Sequence, residues 1–76
     1  MRTVRGQRGV TWICLELPEI PVEQLAKVSE APIDAVAIEC NSGADRVIAL
    51  VAPDWEEVLS DAQLASTIET IAFHHD

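Results

Sequence analysis

Hydrophobic and polar positions alternate most clearly over residues 10–17. Ile13 and Leu15 fall on one face of this segment, while Trp12 and Cys14 fall on the other. The β-branched and aromatic residues of the segment also favour extended backbone. The pattern predicts a β-strand here.

Two later segments, residues 34–40 and 46–52, are rich in apolar residues and predict two further strands. The loop between them contains Asn41 and Gly43, which tolerate positive φ, so a hairpin is expected. The second of these segments is apolar on both faces. That pattern favours a central strand, covered by helices on one side and by something else, such as a partner, on the other.

The segment 21–29 predicts a short helix, because Pro21 suits the first helical position. Val22, Leu25 and Val28 then recur at helical spacing. This recurrence predicts one apolar stripe along the helix.

The C-terminal part of the chain predicts a short helix followed by a longer one, over residues 54–59 and 61–73. Ser60 and Gln63 have the spacing of a capping box at the start of the longer helix. Asp54 and Glu57 have the same spacing at the start of the shorter one.

The order β-α-β-β-α predicts an α+β fold, a two-layer sandwich of a small, mainly antiparallel sheet with helices on one face. It resembles a split βαβ unit without its final strand, in which a right-handed crossover places the third strand between the first two. Residues 3–5 are a candidate for an extra N-terminal strand. The alternative is that residues 1–9 form a flexible basic arm.

The chain has 76 residues, of which 49% are hydrophobic and 24% are charged, and this composition is typical of a globular protein. The length suits a single domain over residues 1–76. A core this small is marginally stabilising, and small domains often gain stability by oligomerisation. A homodimer is therefore one expected alternative.

The net charge of −8 is distributed unevenly, because Arg2, Arg5 and Arg8 give the N-terminus a positive charge while the rest is strongly acidic. Nucleic-acid binding depends on neutralising phosphates with Lys and Arg. The balance therefore argues against direct nucleic-acid binding, and it favours a protein partner with a basic surface.

The longest apolar runs are much shorter than the roughly 20 residues of a transmembrane helix, so no membrane association is expected. No apolar run follows the basic start, as a secretory signal requires. Cys14 and Cys40 are expected to be buried free thiols. These observations predict a cytoplasmic protein.

The chain shows no catalytic pattern, so we expect neither enzymatic activity nor a cofactor. His74, His75 and Asp76 are the one cluster with metal-ligand side chains, but adjacent residues at a helix end point in different directions. We interpret them as a polar helix end and expect no metal site.

The densest group of acidic residues surrounds a tryptophan, and it forms the candidate partner-binding patch Asp54, Trp55, Glu56, Glu57 and Asp61. Carboxylates at a helix start are also stabilised by the helix dipole, which is a purely structural alternative. Trp12 and Trp55 suit either the core or the centre of an interface.

The hypothesis that follows is a small acidic, non-catalytic binding module, such as an inhibitor that occupies the nucleic-acid-binding surface of another protein. Phage and mobile-element anti-defence proteins share this size and charge, and the analogy rests on those two properties alone. The alternative is an assembly subunit that forms a homodimer or larger oligomer through its sheet.

Overall fold

A computed structural model describes residues 1–6 and 8–73 of the chain. They form one four-stranded antiparallel sheet with α-helices on one face. The strands are β1 (Arg2–Arg5), β2 (Thr11–Glu16), β3 (Val36–Asn41) and β4 (Arg46–Val51). The helices are a 3-10 helix (Val22–Glu30), α1 (Trp55–Val58) and α2 (Asp61–Ala72). The predicted α+β architecture is confirmed, and of the two alternatives for the N-terminal residues the structure has the strand, β1.

The strands lie in the order β1-β2-β3-β4, and each pairs with its neighbour in an antiparallel register. The prediction that the strand over residues 46–52 is central was therefore wrong. The connection through the 3-10 helix returns the chain beside β2, with Cys14 opposite Cys40, instead of crossing to a parallel position. Consequently β4 pairs on one side only and is an edge strand.

The core lies between one face of the sheet and the two α-helices. Alternate residues of each strand point into it, as the period of two along a strand requires. Leu64 and Ile68 of α2 pack onto this face. The largest fully buried side chains are those of Trp12, Trp55, Ile38, Leu64, Ile68, Val4, Cys14 and Cys40.

The capping box predicted for the longer helix is confirmed. Gln63 N–H donates to Ser60 Oγ at 3.1 Å, and Ser60 N–H donates to Gln63 Oε1 at 2.9 Å. The capping box predicted for the shorter helix is not formed. Asp54 occupies the N-cap position, but its side chain makes no capping hydrogen bond. α1 is instead attached to the sheet by the burial of Trp55.

The β3–β4 hairpin turns at Gly43, whose φ of +92° is the left-handed conformation that glycine adopts without a steric penalty. Its N–H donates to Asn41 Oδ1 at 2.7 Å, so the asparagine supports the turn. The loop was correctly predicted from these two residues.

The segment between β2 and β3 is a 3-10 helix, and none of its residues is buried. Because a 3-10 helix has three residues per turn, Val22, Leu25 and Val28 form a straight row, and all three side chains are exposed. Gln24 and Lys27 line a cleft beside β4. The helix was predicted, but its apolar stripe does not enter the core.

The second face of the sheet carries no α-helix among the described residues, and we call it the open face. Its apolar side chains are Ile13 and Leu15 of β2, each 45% exposed, the buried Ala37 of β3, and the partly buried Ile48 and Leu50 of β4. The molecule is consequently a flat slab with extents of 31 × 31 × 18 Å.

The buried and the exposed side of α2 each carry an isoleucine, and truncating the two side chains gives a matched pair of variants. We expect Ile68→Ala to lower the free energy of unfolding by about 2–5 kcal/mol, because it leaves a cavity beneath a fully buried side chain. Ile71→Ala removes the same atoms from a side chain that is 44% exposed, so we expect a loss of about 1 kcal/mol or less. Chemical denaturation measures both, and equal losses would contradict this placement of the core.

Candidate acidic docking surface

Trp55 lies at the centre of the predicted patch, but its ring is buried, with 1% of its surface exposed. Its indole N–H donates to Oε1 of Glu16 at 3.1 Å, across 39 positions of sequence. Trp55 is therefore a core residue that holds α1 against the end of β2. It cannot serve as an exposed anchor for a partner.

Arg2 of β1 binds the backbone and side chains around this tryptophan. Its guanidinium donates to the carbonyl oxygens of Trp55 and Glu56, both at 3.3 Å, and to the carboxylate of Asp61 at 2.7 Å. Carbonyl groups at the end of a helix carry partial negative charge, which a cation stabilises. Arg2 thus joins β1 to α1 and to the start of α2.

The remaining carboxylates of the patch differ in their contacts. Glu56 lies 3.3 Å from the amino group of Met1, which partly neutralises it. Asp54 and Glu57 are exposed, and within the described chain neither side chain has a hydrogen bond or an ion pair. These two carboxylates carry the uncompensated negative charge of the patch.

The structure adds Glu16 to the predicted patch. We call Glu16, Asp54, Glu56, Glu57 and Asp61 the acidic surface. One feature of the sequence indicates that Glu16 lies near a tryptophan, because alternation along β2 places Glu16 on the same face as Trp12. No sequence spacing predicts which tryptophan lies beside it.

No family model, curated protein or solved structure matches this chain significantly.

The predicted basic arm is folded onto the molecule. Arg2 belongs to the acidic surface, and the Arg8 guanidinium stacks over the Phe73 ring at 4.3 Å from its centre, a cation–π contact. Arg8 and Phe73 also line a shallow cavity of about 260 Å³ with Thr70. Arg2 and Arg8 thus make intramolecular contacts instead of belonging to a flexible arm.

Cys14 and Cys40 face each other across β2 and β3 as buried free thiols, as predicted. A hydrogen bond to Cys14, together with burial, raises the pKa of Cys40 far above its ordinary value. A thiol acts as a nucleophile in its thiolate form. Both effects favour the protonated thiol of Cys40.

Residues 74–76, which include the two predicted helix-end histidines, lie outside the described residues. Within residues 1–6 and 8–73, no group of three or more His, Cys, Asp or Glu side chains is arranged to hold a metal ion. In the same part of the chain, no helix has the length and apolar character needed to cross a membrane.

The Trp55–Glu16 hydrogen bond can be tested by its contribution to stability. We expect Glu16→Ala to lower the free energy of unfolding by about 1 kcal/mol, because it leaves the indole N–H without its acceptor. Glu16→Gln retains an oxygen acceptor and is expected to lose less. Glu19→Ala removes an exposed carboxylate nearby and serves as the charge control. Equal stability of the Glu16→Ala and Glu19→Ala variants in urea denaturation would contradict the role assigned to this bond.

Proposed function

We propose that this protein is a non-catalytic binding module that docks its acidic surface on a basic surface of another protein. The observation that carries the proposal is the pair of exposed carboxylates of Asp54 and Glu57, which have no cationic partner in the described chain. Carboxylates that are not neutralised internally are free to attract a partner's Lys and Arg side chains.

The way in which the surface is held also supports docking. Burial of Trp55 and the contacts of Arg2 fix the backbone of α1, so Glu57 projects from a positioned helix. A pre-organised surface loses less conformational entropy on binding than a flexible acidic tail does. The net charge of −8 adds a long-range attraction for a basic partner.

If the partner uses this basic surface to bind nucleic acid, the acidic surface would cover it and the partner could no longer bind nucleic acid. The proposed biological role is accordingly inhibition by occupancy, in which carboxylates take the place of phosphates. Positive charge that neutralises phosphates supplies much of the affinity of such a surface for nucleic acid. The proposal requires no catalytic step.

Charge reversal at two places on the molecule tests the proposal. In Asp54→Lys/Glu57→Lys, the two unpartnered carboxylates become cations, and we expect affinity for a basic protein captured from cell extract to fall by about tenfold or more, equivalent to about 1.4 kcal/mol. Glu23→Lys/Glu30→Lys makes the same change in net charge on the exposed 3-10 helix. This control is expected to retain most of the affinity, and titration calorimetry measures both.

Equal loss in the two double variants would mean that net charge alone drives association, and it would exclude a defined docking surface. Unchanged affinity in Asp54→Lys/Glu57→Lys would remove these residues from the interface. Circular dichroism of each variant verifies that the fold is retained, as expected for exposed side chains.

A further inference from the structure

The open face carries exposed apolar side chains on its β2 side, while the 3-10 helix lies beside its β4 side. Ile13 and Leu15 line a groove of about 510 Å³ that extends to Gly43 in the β3–β4 turn. On the other side of β3 lie Ile48 and Leu50, partly buried. Exposed apolar side chains that lie next to one another on a sheet face are a candidate binding surface.

The charge of the open face differs from that of the rest of the molecule. Alternation and register place a single acidic residue, Glu39, among the strand residues of this face, and it forms an ion pair with Arg46 at 2.9 Å. Arg5 of β1 adds one positive charge. A chain with a net charge of −8 thus has one face that is close to neutral.

We infer that the open face pairs with the open face of a second copy of this chain. Two chains of net charge −8 repel each other, and the repulsion is smallest where each presents its least acidic surface. A strongly basic partner, in contrast, finds no attraction at a near-neutral apolar face. A two-fold pairing also places the same apolar patch on both sides of the contact, as an isologous interface requires.

The ends of the open face are complementary under such a two-fold axis. Arg5 lies at one end, beyond the Arg46–Glu39 ion pair, while the exposed Glu19 follows the opposite end of β2. An axis passing near Leu15 reverses the direction of the strands and brings the basic end of one copy towards the acidic end of the other. The stacked sheets would lie about 10 Å apart, as in sandwiches.

The surface area is compatible with this pairing. The chain exposes 5101 Å², more than the roughly 4,600 Å² expected for a folded monomer of its mass. A standard interface buries about 800 Å² on each partner, which is roughly one sixth of this surface. Ile13 and Leu15, each 45% exposed, would lie within such an interface.

The experiment is a measurement of mass by sedimentation equilibrium at about 0.1 M and about 1 M salt, using the full chain without a partner. We expect twice the chain mass of 8.3 kDa at both salt concentrations, because apolar contacts are not screened. Leu15→Lys places a charge at the centre of the proposed interface and is expected to give a monomer. The Leu15 side chain is 45% exposed, and circular dichroism verifies that this variant folds.

Val22→Lys is the matched control, because it makes the same chemical change on the 3-10 helix, where the side chain is 81% exposed. It is expected to remain dimeric. Both substitutions reduce the net charge, and therefore the repulsion between copies, so dissociation by Leu15→Lys alone identifies the apolar contact. A monomeric wild type, a dimeric Leu15→Lys variant or a monomeric Val22→Lys variant would overturn the inference. None of these results depends on Asp54 or Glu57, so the proposed function is tested separately.

Discussion

A sheet has two faces, and the helices of this small domain are long enough to cover one of them. α2 has 12 residues and is therefore about 18 Å long, close to the width of the four strands. Trp55 of α1 fills the end of the same layer. Because the 3-10 helix lies beside β4 with its apolar row exposed, the second face keeps Ile13 and Leu15 in contact with solvent.

The distribution of charge follows from this one-sided core. Arg2 of β1 binds backbone carbonyl groups of α1 and the carboxylate of Asp61. Arg46 lies on the open face, where it forms an ion pair with Glu39. These cations neutralise nearby acids and leave Asp54 and Glu57 without compensation. The molecule therefore presents two surfaces with different physical properties, one acidic and the other apolar and close to neutral.

The sequence predicted the elements better than it predicted their pairing. Alternation identified β2, and the Ser60–Gln63 spacing identified the start of α2, because both signals are local. The central position predicted for β4 was wrong, because an apolar run does not reveal how many neighbouring strands a strand pairs with. Ile48 and Leu50 are apolar at an edge position, where they contribute to the open face, and this pattern resembles that of a central strand.

The predicted patch was recovered in part for a similar reason. Carboxylate clustering is visible in the sequence, but neutralisation by Arg2 and the bond from Trp55 to Glu16 join residues more than 35 positions apart. Local patterns also do not distinguish a buried tryptophan from an interface anchor. The three-residue period of the 3-10 helix presents its row to solvent, whereas an amphipathic pattern usually indicates a buried face.

The central claim is that two surfaces with different salt dependence act in one molecule. Its most direct test is sedimentation of this chain bound to a captured basic protein, followed from about 0.1 M to about 1 M salt. The account predicts that the basic protein dissociates as salt rises, while the two copies of this chain stay together. Retention of the partner at high salt, or separation of the copies before the partner is released, would contradict it.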